Sequence, residues 1–98
     1  MEHLEFNYLS GDRPVTGKAH VGVVSSGDTE VLIEAAEAGL AQVSVVTSVN
    51  GSGADWKAVF DRFFENYDGA VRIHINDAGA TPGTVMLRLR QALEVMEQ

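Results

Sequence analysis

Trp56, Val59, Phe60, Phe63 and Phe64 recur at i, i+3, i+4, i+7 and i+8, so a helix through this segment carries five large apolar side chains on one face. A stripe that wide needs a flat apolar partner. The neighbouring sequence supplies one. His3-Leu4-Glu5-Phe6-Asn7-Tyr8-Leu9 alternates polar and apolar residues with period two, and Val71, Ile73 and Ile75 alternate with Arg72, His74 and Asn76, the pattern of strands with one buried face. Gly17 to Val24 and Thr29 to Glu34 read as two more strands joined in a hairpin, with Ser25-Ser26-Gly27-Asp28 as its tip. The β-branched run Val43 to Val49 reads as another strand, and Ala35 to Leu40 as the connection before it. Ser10-Gly11-Asp12-Arg13-Pro14 breaks the first strand. Thr81-Pro82 is an N-cap followed by proline at the first helical position, opening a second helix with the stripe Val85, Met86, Leu89, Ala92, Leu93 and Met96. The order β-β-β-β-α-β-α predicts an α+β fold: a mainly antiparallel sheet with two amphipathic helices covering one face.

Ninety-eight residues at 45% hydrophobic content suit one domain, residues 1–98, with a single modest core. The chain has no cysteine, which excludes disulfides, thiolate metal sites and cysteine nucleophiles. The segment MEHLEFNYLSG lacks a basic stretch followed by an apolar one, and no run reaches the ~18 apolar residues of a spanning helix. The expectation is a cytoplasmic protein that does not engage a membrane. A net charge of −7 repels phosphate backbones and argues against nucleic acid as a partner.

Most residues that could carry chemistry have a plainer reading. The aromatic stripe is what a core-facing helix requires. His3, His20 and His74 are far apart and form no HxxH or HExxH pair, so no metal site is expected. His74, between Ile73 and Ile75, belongs on the polar sheet face. Asn50-Gly51-Ser52-Gly53 and Ala78-Gly79-Ala80-Thr81-Pro82-Gly83 precede helices, where free N–H groups can receive an anion. Neither matches a phosphate-binding motif, and turn formation and capping account for both. Arg88 and Arg90, two apart on the second helix, point to different faces, which leaves either free for a docking contact. No GxSxG elbow surrounds Ser25 or Ser26, so acyl-enzyme catalysis is disfavoured. What remains for these serines is an ordinary turn or an exposed hydroxyl for covalent modification.

Three blocks shift that balance: VGVVSSGDTEVL, VVTSVNGSGADWKAVFDRFF and HINDAGATPGTVMLRLRQALE. In order and spacing they resemble the acyl carrier (delta) subunit family of malonate decarboxylase over nearly the whole chain. The family's serine before Gly-Asp bears the prosthetic group, and the resemblance puts that position at Ser26, flanked by Gly27, Asp28, Glu30, Val31 and Leu32. Ser25 stands where many members have glycine, and Asp77-Ala78-Gly79 where a more familiar step bears an aromatic residue.

The resemblance implies a 2'-(5''-phosphoribosyl)-3'-dephospho-CoA group joined to Ser26 by a phosphodiester, its thiol carrying acetyl and malonyl thioesters. The chain would then be a non-catalytic arm. It would serve a transferase (alpha) subunit and decarboxylase (beta, gamma) subunits, after a prosthetic-group transferase attaches the cofactor and a malonyl transferase primes it. The gamma subunit of citrate lyase resembles this chemistry closely, but the Trp56 helix and the GATPG block favour the malonate system. An unmodified interaction module is the alternative from another class.

Overall fold

In the computed structural model, which describes residues 1–9 and 11–97, the elements follow the predicted order. They are β1 (Glu2–Tyr8), β2 (Lys18–Val21), β3 (Thr29–Ala35), β4 (Ala41–Thr47), α1 (Gly53–Glu65), β5 (Val71–Asp77) and α2 (Pro82–Met96). Ser10, the first residue of the predicted break, lies outside the described residues.

The five strands form one sheet in the order β1-β4-β5-β3-β2. β1 with β4, β2 with β3, and β3 with β5 are antiparallel, whereas the central pair β4 and β5 is parallel. The sheet is therefore mixed, though three of its four pairings are antiparallel as expected. The parallel pair follows from connectivity, because the chain crosses through α1 between β4 and β5 and returns in the same direction. Register then aligns Val43 with Ile73, Ile73 with Ile33, Val45 with Ile75, and Ile75 with Val31. These residues are almost fully buried beneath the helices. The opposite face carries Glu5, Ser44, His74 and His20. His74 is exposed there, as its alternation requires. His20 meets Glu30 Oε2 at 2.8 Å, and His3 meets Ser44 Oγ at 3.0 Å.

Phe60, fully buried, is the centre of the core. Its ring lies 6.1 Å from Phe6 and Trp56, 6.5 Å from Phe63 and 6.4 Å from Phe64. Burying each such ring contributes roughly 2–3 kcal/mol. Trp56 is thus core, as its spacing indicates. Tyr8 stacks on Phe64 at 4.5 Å and donates its hydroxyl to Asp61 Oδ1 at 2.8 Å. Burial first, and this bond second, push the phenol's pKa up. On α2, Val85, Leu89, Ala92 and Met96 are buried, with Met86 and Leu93 packed against the cluster.

The hairpin differs from expectation. β2 stops at Val21, not Val24, and the connection runs from Gly22 to Asp28. Gly22 has φ +81°, and a Cβ there would collide with the Thr29 carbonyl. Only glycine can approach so closely, and the chain leaves the ladder at this point. Val23 and Val24 consequently turn to solvent, 59% and 57% exposed. Ala35 closes β3, and the rest of the expected connection holds a turn with Gly39 at φ +90°.

Candidate functional site

The Asp28 N–H donates to the Ser25 carbonyl at 2.9 Å, closing a four-residue turn. Gly27, its third residue, has φ +77°, while no non-glycine residue among those described has positive φ. That combination is a type II turn, with Ser26 at the corner position. The Gly27 N–H donates to the Ala78 carbonyl at 2.8 Å, and the Ala78 N–H donates to the Asp28 carbonyl at 3.0 Å. Two residues thus oppose one, and the turn runs into a glycine bulge at the end of the β3–β5 ladder. The Ser-Gly-Asp sequence is explained locally: the turn and the bulge both need the left-handed conformation at Gly27.

Ser25, Ser26 and Gly27 are exposed. Among the described residues, neither serine hydroxyl makes a hydrogen bond, and a Cβ at Gly27 would meet nothing within 4 Å. No histidine approaches this turn by register, since His20 and His74 both lie opposite Leu32, three positions inside the ladder from Thr29. A serine–histidine relay is therefore not assembled here.

Asp28 points the other way, back onto α2. Its Oδ1 accepts from the Thr29 N–H at 2.7 Å and from Arg88 Nε at 3.1 Å, while its Oδ2 accepts from Arg88 Nη2 at 2.9 Å. Arg88 Nη1 donates to Gln91 Oε1 at 3.0 Å. The guanidinium first, and the Thr29 N–H second, hold the Asp28 carboxyl below its ordinary range. Arg88 is therefore not free for docking, contrary to the expectation from its spacing. The spacing of Arg88 does not reveal this pairing, because its partner lies sixty positions away and no local pattern links them.

The loop before α2 is likewise self-sufficient. Buried Asp77 accepts from Thr47 Oγ1 at 2.9 Å, from the Gly79 N–H at 3.0 Å and from the Ala80 N–H at 3.1 Å. The Gly79 and Ala80 amides, which could have received an external anion, already hold the chain's own carboxylate. Thr81 caps α2 as predicted, accepting from the Thr84 N–H at 3.2 Å. A shallow cavity of about 220 Å³ between the starts of α1 and α2 is lined by Asp55, Asp77 and Trp56, and its two carboxylates disfavour anions.

Comparison with known proteins places this geometry in context. Residues 16–96 match the family described as Malonate decarboxylase delta subunit (MdcD). A malonate decarboxylase acyl carrier protein of Stutzerimonas stutzeri (strain A1501) is 53% identical over 95 residues, covering 96% of this chain and 95% of that protein. One from Pseudomonas putida (strain GB-1) is 55% identical with the same coverage. Among solved structures, a chain from the crystal structure of a Pseudomonas malonate decarboxylase hetero-tetramer in complex with malonate superposes with TM-score 0.91 at 46% identity. The match covers 98% of this chain and 99% of that one.

Proposed function

Because the chain belongs to the malonate decarboxylase delta subunit family, we propose that it is the acyl carrier subunit of a malonate decarboxylase. Residues 1–98 act as one carrier domain, and the Ser26 hydroxyl bears a 2'-(5''-phosphoribosyl)-3'-dephospho-CoA group. The observation that carries this reading is the state of that hydroxyl: exposed at the corner of a defined turn and free of hydrogen bonds among the described residues. The Ser26 oxygen would form its O–P bond as pyrophosphate leaves a triphosphoribosyl donor and the hydroxyl proton is released, and a hydroxyl that holds nothing together can be consumed without disturbing the fold. The residues present fit the group. Ser26 supplies the oxygen, Gly27 leaves the flank clear, and Asp28 with Ala78 fastens the turn to the sheet.

When bound, the group supplies a terminal thiol on which acyl units travel as thioesters. The chain contributes presentation: a covalent tether converts each encounter with an active site into an intramolecular event, at an effective concentration of roughly millimolar order. Its partners in this reading are the alpha, beta and gamma subunits, the transferase that installs the group and the malonyl transferase that primes it. The assembly named for its structural relative, a hetero-tetramer, supports such partners. Turnover belongs to them, and the carrier itself catalyses nothing.

The experiment is Ser26→Ala in a reconstituted complex. Malonate turnover should vanish while the unfolding free energy of the isolated chain in urea stays within about 0.5 kcal/mol of wild type, as for an exposed side chain. Turnover that survived the substitution would contradict attachment at this oxygen. Carbon dioxide released from malonate by the isolated, modified chain would contradict the non-catalytic role.

A further inference from the structure

Asp28 and Arg88 form the one hydrogen-bonded pair of side chains among the described residues between the Ser26 turn and the body of the fold. Both ends of the guanidinium fork are used on one carboxylate, and its remaining nitrogen is fixed by Gln91 one turn further along α2. Arg88 Cδ also lies 3.4 Å from the position a Cβ at Gly22 would take, which is contact distance. The arginine therefore spans the loop from its first residue, Gly22, to its last, Asp28. Between those two points, Val23 to Gly27 are exposed, ordered among the described residues by three backbone bonds outside the ladder: Ser25 N–H to Val23, Asp28 N–H to Ser25 and Gly27 N–H to Ala78.

We propose that Arg88 is a positioning residue for modification of this chain: by gripping Asp28 in a bidentate pair it holds the Ser26 turn in the single orientation that the attaching enzyme reads. The proposal rests on Ser26 as the attachment point. Bidentate guanidinium–carboxylate pairs fix direction as well as distance, and Asp28 is the turn's own fourth residue, so fixing its carboxylate fixes the corner two residues before it. Without Arg88 the loop keeps its backbone bonds but samples more conformations, and a modifying enzyme must then select the productive one. Apparent affinity falls by the fraction that remains competent.

Two measurements test this. In unmodified protein, hydrogen exchange at the Gly27, Asp28 and Ala78 amides should quicken about tenfold in Arg88→Ala and in Asp28→Asn, while core amides such as Val31 and Ile73 keep their protection. Arg88→Lys should fall between, since a lysine retains charge without the fork. The double variant should be no faster than Arg88→Ala alone. In loading by the cognate transferase, the KM for the carrier should rise about tenfold in Arg88→Ala, with kcat little changed and partial recovery in Arg88→Lys. Unchanged exchange at the turn amides would overturn the clamp whatever the role of Ser26. Faster exchange with unchanged loading at Ser26 would overturn its role in modification. Asp28→Asn that loads faster than wild type would show that the carboxylate acts by repelling an anionic donor, and would overturn positioning as well. Wild-type protein modified elsewhere would overturn the attachment reading while leaving the exchange result to stand for the clamp alone.

Discussion

The aromatic cluster under α1 and the Ser26 turn are built on opposite terms. Phe60 touches Phe6, Trp56, Phe63 and Phe64 and excludes solvent. Its stability comes from many small, interchangeable contacts. The turn buries almost nothing and is held by a few directed bonds to Ala78 and Arg88. Damage to the first should lower the stability of the whole molecule and leave the site's chemistry intact in whatever fraction folds. Damage to the second should do the reverse. In the proposed function, folding and attachment fall to separate residues, which suits a chain whose Ser26 would hold an arm that visits other proteins' active sites.

Phe60→Ala should break the comparison hardest from the core side, costing about 3–5 kcal/mol by urea unfolding, with loading at Ser26 normal in the folded fraction at low temperature. Asp77→Ala sits between the regions. It strands the buried Thr47 hydroxyl and frees the Gly79 and Ala80 amides, which water can reach, and should cost about 2 kcal/mol, since a buried donor left without an acceptor is expensive. Because Asp77 neighbours Ala78, this variant should also slow loading. Gly27→Val forces a β-branched residue into φ +77°, at a local cost of about 1–2 kcal/mol. Loading rate should fall by more than that stability loss accounts for, and an unchanged rate would remove the steric and conformational argument for glycine.

Acid should give the smallest effect. Asp28 is held below its ordinary value of 3.8 by Arg88, so its contribution is complete above that value and is lost as pH falls through the depressed one. Turn amides should therefore lose protection below about pH 3.8, before those of the Phe60 cluster. Simultaneous loss in both regions would mean that the turn is not independently held.

The same division governs what the sequence reveals. Core elements follow from periodicity: the stripe at Trp56 to Phe64, the alternation at Val71 to Ile75 and the Thr81-Pro82 cap each announce an element by spacing alone, and each is found there. The parallel pairing of β4 with β5 is less visible, because strand direction depends on where α1 returns the chain and not on side-chain alternation. The end of β2 is misread for a related reason. Val23 and Val24 look like strand, and only the packing of Gly22 against Thr29, seven residues on, sends them into solvent. At the candidate site, Ser-Gly-Asp identifies a turn and the family resemblance singles out Ser26. The long-range half of the site, Arg88 and Ala78, has no signature, since directed bonds between residues fifty or sixty apart impose no period on the chain.

Peptide mapping of protein purified from its native host shows whether the Ser26 Oγ is the modified atom. The expected result is a phosphoribosyl-dephospho-CoA adduct on the peptide containing Ser25 and Ser26, with fragmentation assigning it to Ser26. An adduct on Ser25 alone, a phosphopantetheine in its place, or an unmodified peptide from an active complex would contradict it.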